Sequence, residues 1–200
     1  MRAELKDLHR RLQTTTVHVT HDQAEAMSLG ERICVMRDGA IQQIAHPVEV
    51  YDCPVNKFVA GFLGTPPMNF FTGRIRSRND TLCFNLGDET IELPQRLKTV
   101  LGEHCGKEMI LGVRPENISP NDRAGQINNS ICATVGVLEP LGVRTDVYMT
   151  SRAGQKFIAS VDPHTRLITG DAVRIHINIE RVHIFELEGT GRNVTISDRT

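Results

Sequence analysis

The stretch Gly64-Thr65-Pro66-Pro67 divides this chain into two incompatible patterns, so one regular architecture cannot run from end to end. Glycine suits a helix C-terminal cap and two prolines cannot continue a backbone ladder, so any preceding helix stops here. Beyond it, short alternating runs at 70–75, 81–86, 109–113, 131–138, 147–150 and 157–161 are punctuated by turn residues, which predicts a small barrel or sandwich. Later, Val173, Ile175, Ile177 and Ile179 alternate with polar residues before the apolar parity shifts to Val182 and Ile184. That shift predicts a pair of strand runs with a bulge or bend near Arg181. From Gly189 the chain is mostly polar and is expected to fray.

Ahead of the boundary the pattern is mixed. Met1, Leu5, Leu8 and Leu12 recur at helical spacing and predict an amphipathic helix. Residues 14–20 are β-branched apart from His18 and predict a strand. Asp22 and Glu25 then provide an N-cap and a carboxylate three residues on, and a helix should follow until Gly30. Asp38-Gly39 between apolar runs 33–36 and 40–44 predicts a hairpin. Pro47 opens one short helix, and a second spans about 56–62. The order strand, His21, helix places His21 in the crevice at a strand's carboxyl end, beside helix N–H groups that favour an anion. With the neighbouring strands missing from this pattern, Val17, Val19, Ile33 and Val35 are expected to lie uncovered.

Composition narrows the classes. Forty per cent hydrophobic residues argue against wholesale disorder, and a net charge of -1 gives no drive toward nucleic acid or anionic lipid. Aromatic residues make up 4%, too few stacking platforms for an OB-fold that binds single strands, so no nucleic acid partner is expected. Five cysteines without CxxC spacing fit a reducing compartment, and the eight dispersed histidines lack HExxH or paired Cys/His spacing, so no metal site is expected.

VTHDQAEAM at 19–27, followed by the hairpin and then PVEVYDCPVNKFVAGFLGTPPMNF at 47–70, resembles the ATP-binding subunit of carbohydrate-uptake ABC importers of the maltose and sn-glycerol-3-phosphate type. The resemblance continues almost to the end and implies the C-terminal portion of such a subunit. It implies an α/β remnant of a P-loop nucleotide-binding domain over 1–64, an all-β OB-like regulatory domain of TOBE/MOP type over 68–190, and a polar tail over 191–200. It implies that His21 is the switch histidine, contacting the ATP γ-phosphate and helping to position the attacking water. It also implies ATP and Mg in the parent, a second copy of the subunit and transmembrane permease subunits as partners, and a cytoplasmic place on the inner face of the membrane. GxxxxGK[ST], LSGGQ and the acidic strand end do not occur in these 200 residues. The chain alone is therefore expected neither to hydrolyse ATP nor to need a cofactor.

Three further readings concern smaller sites. His21 could instead be a helix-capping or surface histidine, and its flanking residues favour the switch role. GVRPE at 112–116 matches a loop typical of the family's C-terminal domain; Arg114 and Glu116 read as a proline-directed turn with local hydrogen bonds, or as a regulatory or interface contact. Arg144 and Thr145 lie where related oxyanion-sensing domains bind a small anion, although Asp146 would repel one, and a turn between barrel strands is the alternative. A sensor module for a small oxyanion or a regulatory protein is thus the second functional reading.

Overall fold

The computed structural model describes residues 2–120 and 129–196. Helix α1 (Arg2–Leu12) has the expected apolar stripe, but Leu5, Leu8 and Leu12 stay 42, 47 and 58% exposed. Residues 14–20 correct the sequence reading: they form no strand, and Val17 and Val19 are 87 and 90% exposed. The β preference of branched residues is a preference for packing on a pleated neighbour, and no strand lies beside this run to supply one.

Helix α2 (Gln23–Leu29) starts at Asp22, whose carboxylate accepts the Glu25 N–H at 3.0 Å. Strands β1 (Ile33–Arg37) and β2 (Ala40–Ala45) pair around Asp38 and Gly39, both at positive φ, as a tight hairpin requires. Helix α3 (Pro47–Asp52) has its proline in the first turn, and α4 (Lys57–Phe62) is capped by the Asn56 side chain accepting from Val59 N–H at 2.9 Å. Ile33 and Val35 are buried with Val50, Val59 and Leu63, so α3 and α4 cover the hairpin face that was expected to lie open.

The remaining strands are β3 (Asn69–Arg78), β4 (Thr81–Leu86), β5 (Glu89–Glu92), β6 (Glu108–Val113), β7 (Ile118–Pro120), β8 (Ser130–Pro140), β9 (Thr145–Ser151), β10 (Lys156–Val161), β11 (Ala172–Ile177) and β12 (His183–Glu186), with a short α5 (Lys98–Leu101) between β5 and β6. They build two antiparallel five-stranded sheets, ordered β12-β6-β3-β4-β5 and β10-β9-β8-β11-β7. The two late alternating runs do not pair with each other. A 3-10 turn at Ile179–Arg181 carries the chain from one sheet to the other, which accounts for the parity shift.

Both sheets share one OB-like core. Phe71, Ile75, Phe84 and Leu111 of the first pack with Ile131, Val147, Phe157 and Ile175 of the second. Side-chain amides stitch the sheets where no ladder joins them: Asn69 bonds both backbone groups of Ile158, at 2.8 Å each, and Gln155 bonds both of Thr72, at 2.9 Å each. Ala60 of α4 packs with Met68, Ile110 and Phe185, so the helical segment seats directly on the first sheet.

The polar tail departs from the expected fraying as far as it is described. Lys57 N–H donates to Gly191 at 2.8 Å, Asn193 N–H to Val55 at 2.9 Å and Val194 N–H to Ile184 at 2.9 Å. Buried Asn193 also donates from its side chain to Pro54 at 2.8 Å. Composition alone suggests fraying because Gly191 and Asn193 find their partners, Lys57, Val55 and Pro54, more than a hundred residues away. Residues 197–200 of the expected tail lie outside the described residues. Among the described residues, no helix is long and apolar enough to cross a membrane.

Candidate functional site

His21 sits exposed at the bend that enters α2. Bonds on either side hold the bend: Thr20 Oγ1 accepts the Asp22 N–H at 2.9 Å and donates to Glu25 Oε2 at 2.7 Å, while Asp22 Oδ1 accepts from Glu25 N–H. This modifies the expected capping box, because the Glu25 carboxylate turns to the Thr20 hydroxyl and to His18 Nε2 at 3.3 Å. These contacts keep both carboxyls ionised. Asp22 is lowered chiefly by the Glu25 N–H, and Glu25 chiefly by the Thr20 hydroxyl and then by His18. The imidazole is thus presented to solvent at a hydrogen-bonded turn and, because residues 14–20 form no strand, not in the crevice at a strand's carboxyl end that the sequence predicts.

Sequence reasoning passed over Gln23, two residues beyond His21. Gln23 reaches from the first turn of α2 to the end of α4, donating to the Phe62 carbonyl at 2.6 Å and accepting the Gly64 N–H at 2.8 Å. Its place inside the THDQAEAM motif was the available signal. What it touches, 39 and 41 residues onward, was not legible.

Arg114 is buried at 3% exposure, which corrects its reading as part of a locally bonded turn. One guanidinium nitrogen donates to the Leu63 carbonyl at 2.7 Å, another to Tyr51 at 2.6 Å, and Cζ lies 3.4 Å from the centre of the Tyr51 ring. Those carbonyls belong to the last turn of α3 and the C-cap of α4, where helices leave unpaired acceptors and negative dipole ends. Burial draws the Arg114 pKa down, opposed by Tyr51 and Glu116. Tyr51 donates to Glu116 Oε1 at 2.7 Å, and burial, reinforced by Glu116, pushes its phenol up to about 12. Gly64, at φ 118°, makes room for this packing, since a Cβ there would stand 2.9 Å from the Arg114 Nη1. A cleft of about 230 Å³ opens beside the cluster, lined by Tyr51, Asp52, Arg114, Glu116, Arg181 and His183.

Thr145 opens β9 and Arg144 immediately precedes it. Arg144 forks onto Asp146, with Nε to Oδ1 at 2.9 Å and Nη2 to Oδ2 at 3.2 Å, and donates to the Thr65 carbonyl at 2.7 Å. Its pKa is raised, chiefly by the Asp146 hydrogen bond. Asp146, which would have repelled an anion, instead neutralises the arginine and also accepts from Ser160 at 2.6 Å. Thr145 is buried. The planar fork an oxyanion would need is therefore already engaged. Among the described residues no group of three or more His, Cys, Asp and Glu side chains could hold a metal ion.

The two-sheet β region defines the class. Residues 64–118 match the MalK OB fold domain, and residues 111–185 match the TOBE domain. Along nearly its whole length the chain is also similar to import ATP-binding proteins. It is 42% identical over 192 residues to the oligosaccharides import ATP-binding protein MsmX of Bacillus subtilis, spanning 94% of this chain and 51% of that protein. It is 38% identical over 200 residues to the trehalose/maltose import ATP-binding protein MalK of Thermococcus litoralis, spanning 97% and 52%. The sn-glycerol-3-phosphate import ATP-binding protein UgpC of Escherichia coli is 40% identical over 195 residues, spanning 97% and 52%. The chain thus carries MalK OB fold and TOBE domains and has ABC importer ATP-binding proteins as its homologues, and it spans about half the length of the curated relatives it matches.

Proposed function

We propose that this chain serves as the C-terminal part of an ATP-binding subunit that couples ATP hydrolysis to the uptake of a sugar or glycerol phosphate. The observation that carries the reading is extent: similarity to an import ATP-binding protein covers 94% of the chain, at 42% identity over 192 residues, and so reaches well beyond residues 64–185 that the OB fold and TOBE models match. In this reading residues 1–64 carry the switch histidine and residues 68–190 form the regulatory domain. A second copy of the subunit and membrane-embedded permease subunits are its partners, and it works at the cytoplasmic face of the membrane.

The chemistry assigned to this chain is limited to what its residues present. ATP is the substrate, and Mg, when bound, neutralises charge on its phosphates. The His21 ring, exposed beside the first turn of α2, would donate an N–H to a γ-phosphate oxygen and orient the attacking water. A preorganised donor of this kind stabilises charge that grows in the transition state.

The test is a chimera in which the C-terminal half of the Bacillus subtilis subunit is replaced by this chain. It should hydrolyse ATP, and His21→Ala should lower the rate by about a hundredfold, the scale of losing one positioned transition-state donor. A folded chimera that hydrolyses ATP equally well with and without the His21 imidazole would overturn the assignment.

A further inference from the structure

Residues 62–65 form a strap joining the end of α4 to the β region, and side chains from three separate parts of the chain hold its backbone. Gln23 of α2 takes the Phe62 carbonyl and the Gly64 N–H, Arg114 takes the Leu63 carbonyl, and Arg144 takes the Thr65 carbonyl. Four consecutive residues thus each commit one polar backbone group to a distant side chain. The Gln23 amide uses its donor and its acceptor on the same segment, as a neighbouring strand would, so it cannot rotate without breaking both bonds.

Helix α2 has few other constraints. It has seven residues, none fully buried, and a helix that short does not hold its own geometry in water. Its orientation comes from Ala26 and Met27, half-buried against the hairpin cluster, from the Lys6 ammonium on the Ser28 carbonyl at 3.2 Å, and from the Gln23 amide. Of these, the amide is the polar tie to the strap backbone and lies two residues from His21, while Ala26 and Met27 pack against an apolar cluster that includes the Leu63 side chain.

We propose that Gln23 is a positioning residue for His21: it locks the histidine turn to the strap, and the β region, gripping that strap through Arg114 and Arg144, thereby sets the direction in which the imidazole points. The proposal rests on the reading of His21 as the γ-phosphate contact. It makes the β region a determinant of that contact without touching the nucleotide.

The test uses the 200-residue chain without nucleotide, so its failure would strike the coupling and leave the hydrolysis reading to the chimera. Nuclear magnetic resonance follows the His21 ring signals and the Gly64 amide. Gln23→Ala should speed Gly64 amide exchange by about tenfold or more, as expected when a local tie is lost. Arg114→Lys, which cannot keep the two-pronged grip, should displace the His21 ring signal in the otherwise unchanged chain and displace it far less on a Gln23→Ala background, where only the apolar cluster around Leu63 still links α2 to the strap. Where Arg114→Lys does not fold, Arg144→Lys serves the same purpose from the exposed end of the strap. An unchanged Gly64 exchange rate, a His21 signal indifferent to the arginine substitution, or a displacement just as large without the Gln23 amide would each overturn the proposal.

Discussion

Arg114 is the residue on which the joint between the two patterns turns. Its charge is stabilised by the acceptor ends of α3 and α4 and by the face of Tyr51, so removing it strands two carbonyls away from water. Arg114→Ala should cost roughly 2–4 kcal/mol, the range for leaving buried polar groups unpaired. Urea denaturation measures this directly, and a loss within experimental error of zero would contradict the account. Tyr51 gives a pH prediction. Its phenol, pushed up to about 12 from the ordinary value of 10.0, is favoured in its neutral form by the fold. A raised folded-state pKa contributes stability that is complete below the unfolded value and disappears as pH rises through the folded one, so the loss should fall between pH 10.0 and about 12. Ultraviolet titration should assign the phenolate that vanishes in Tyr51→Phe to that upper value; titration at the ordinary value would remove the argument. GVRPE pointed to this residue by sequence alone. Its partners at 51 and 63 were hidden because hydrogen bonding to helix ends depends on where the chain returns in space.

At the scale of elements, alternation was a good guide wherever a run was long enough to be half-buried. The runs that became β3, β4, β6, β8, β9 and β10 were legible because each places buried side chains toward one shared core. The three-residue β7, four-residue β5 and four-residue α5 were too short to display a period. Residues 14–20 failed in the opposite way, with strong composition and no neighbouring strand. One glycine shows how closely the legible strands approach. A Cβ on Gly73 of β3 would overlap the Asn85 carbonyl oxygen and stand 2.5 Å from the Phe84 ring, and both atoms belong to the paired strand β4 and its core-filling side chain. Gly73→Ala should therefore destabilise by about 1–3 kcal/mol, the usual cost of overpacking, with a fall in the thermal midpoint as the readout. A neutral result would mean that β3 and β4 separate more readily than their register suggests. The class of the β region could be read from motifs, and a motif singled out His21 as a candidate. The strap and the Gln23 amide could not, because they exist only once α2, α4 and both sheets are assembled.

For the whole molecule, exposed apolar side chains occur on α1, at residues 17 and 19 and on the first hairpin, and within the β region four of them share the β8–β9 hairpin. Val137 and Tyr148 face each other across β8 and β9 at 62 and 41% exposure, and Leu141 and Val143 of the connecting turn are 46 and 87% exposed. A symmetric contact through this face would give the second-copy association proposed above. Sedimentation over a concentration series should detect a dimer in the micromolar range, reduced to monomer by Val137→Asp with Val143→Asp. An unchanged equilibrium in that variant would place association elsewhere. The passage of the chain between sheets at Ile179–Arg181 has another consequence. The two matched family units overlap at residues 111–118, and β12, at the far end of the second unit, pairs with β6, which the first unit already contains. Neither unit can be cut out without tearing a sheet. Recombination between relatives should therefore leave working offspring only when the crossover falls outside the β region, making that region inherited as one indivisible block.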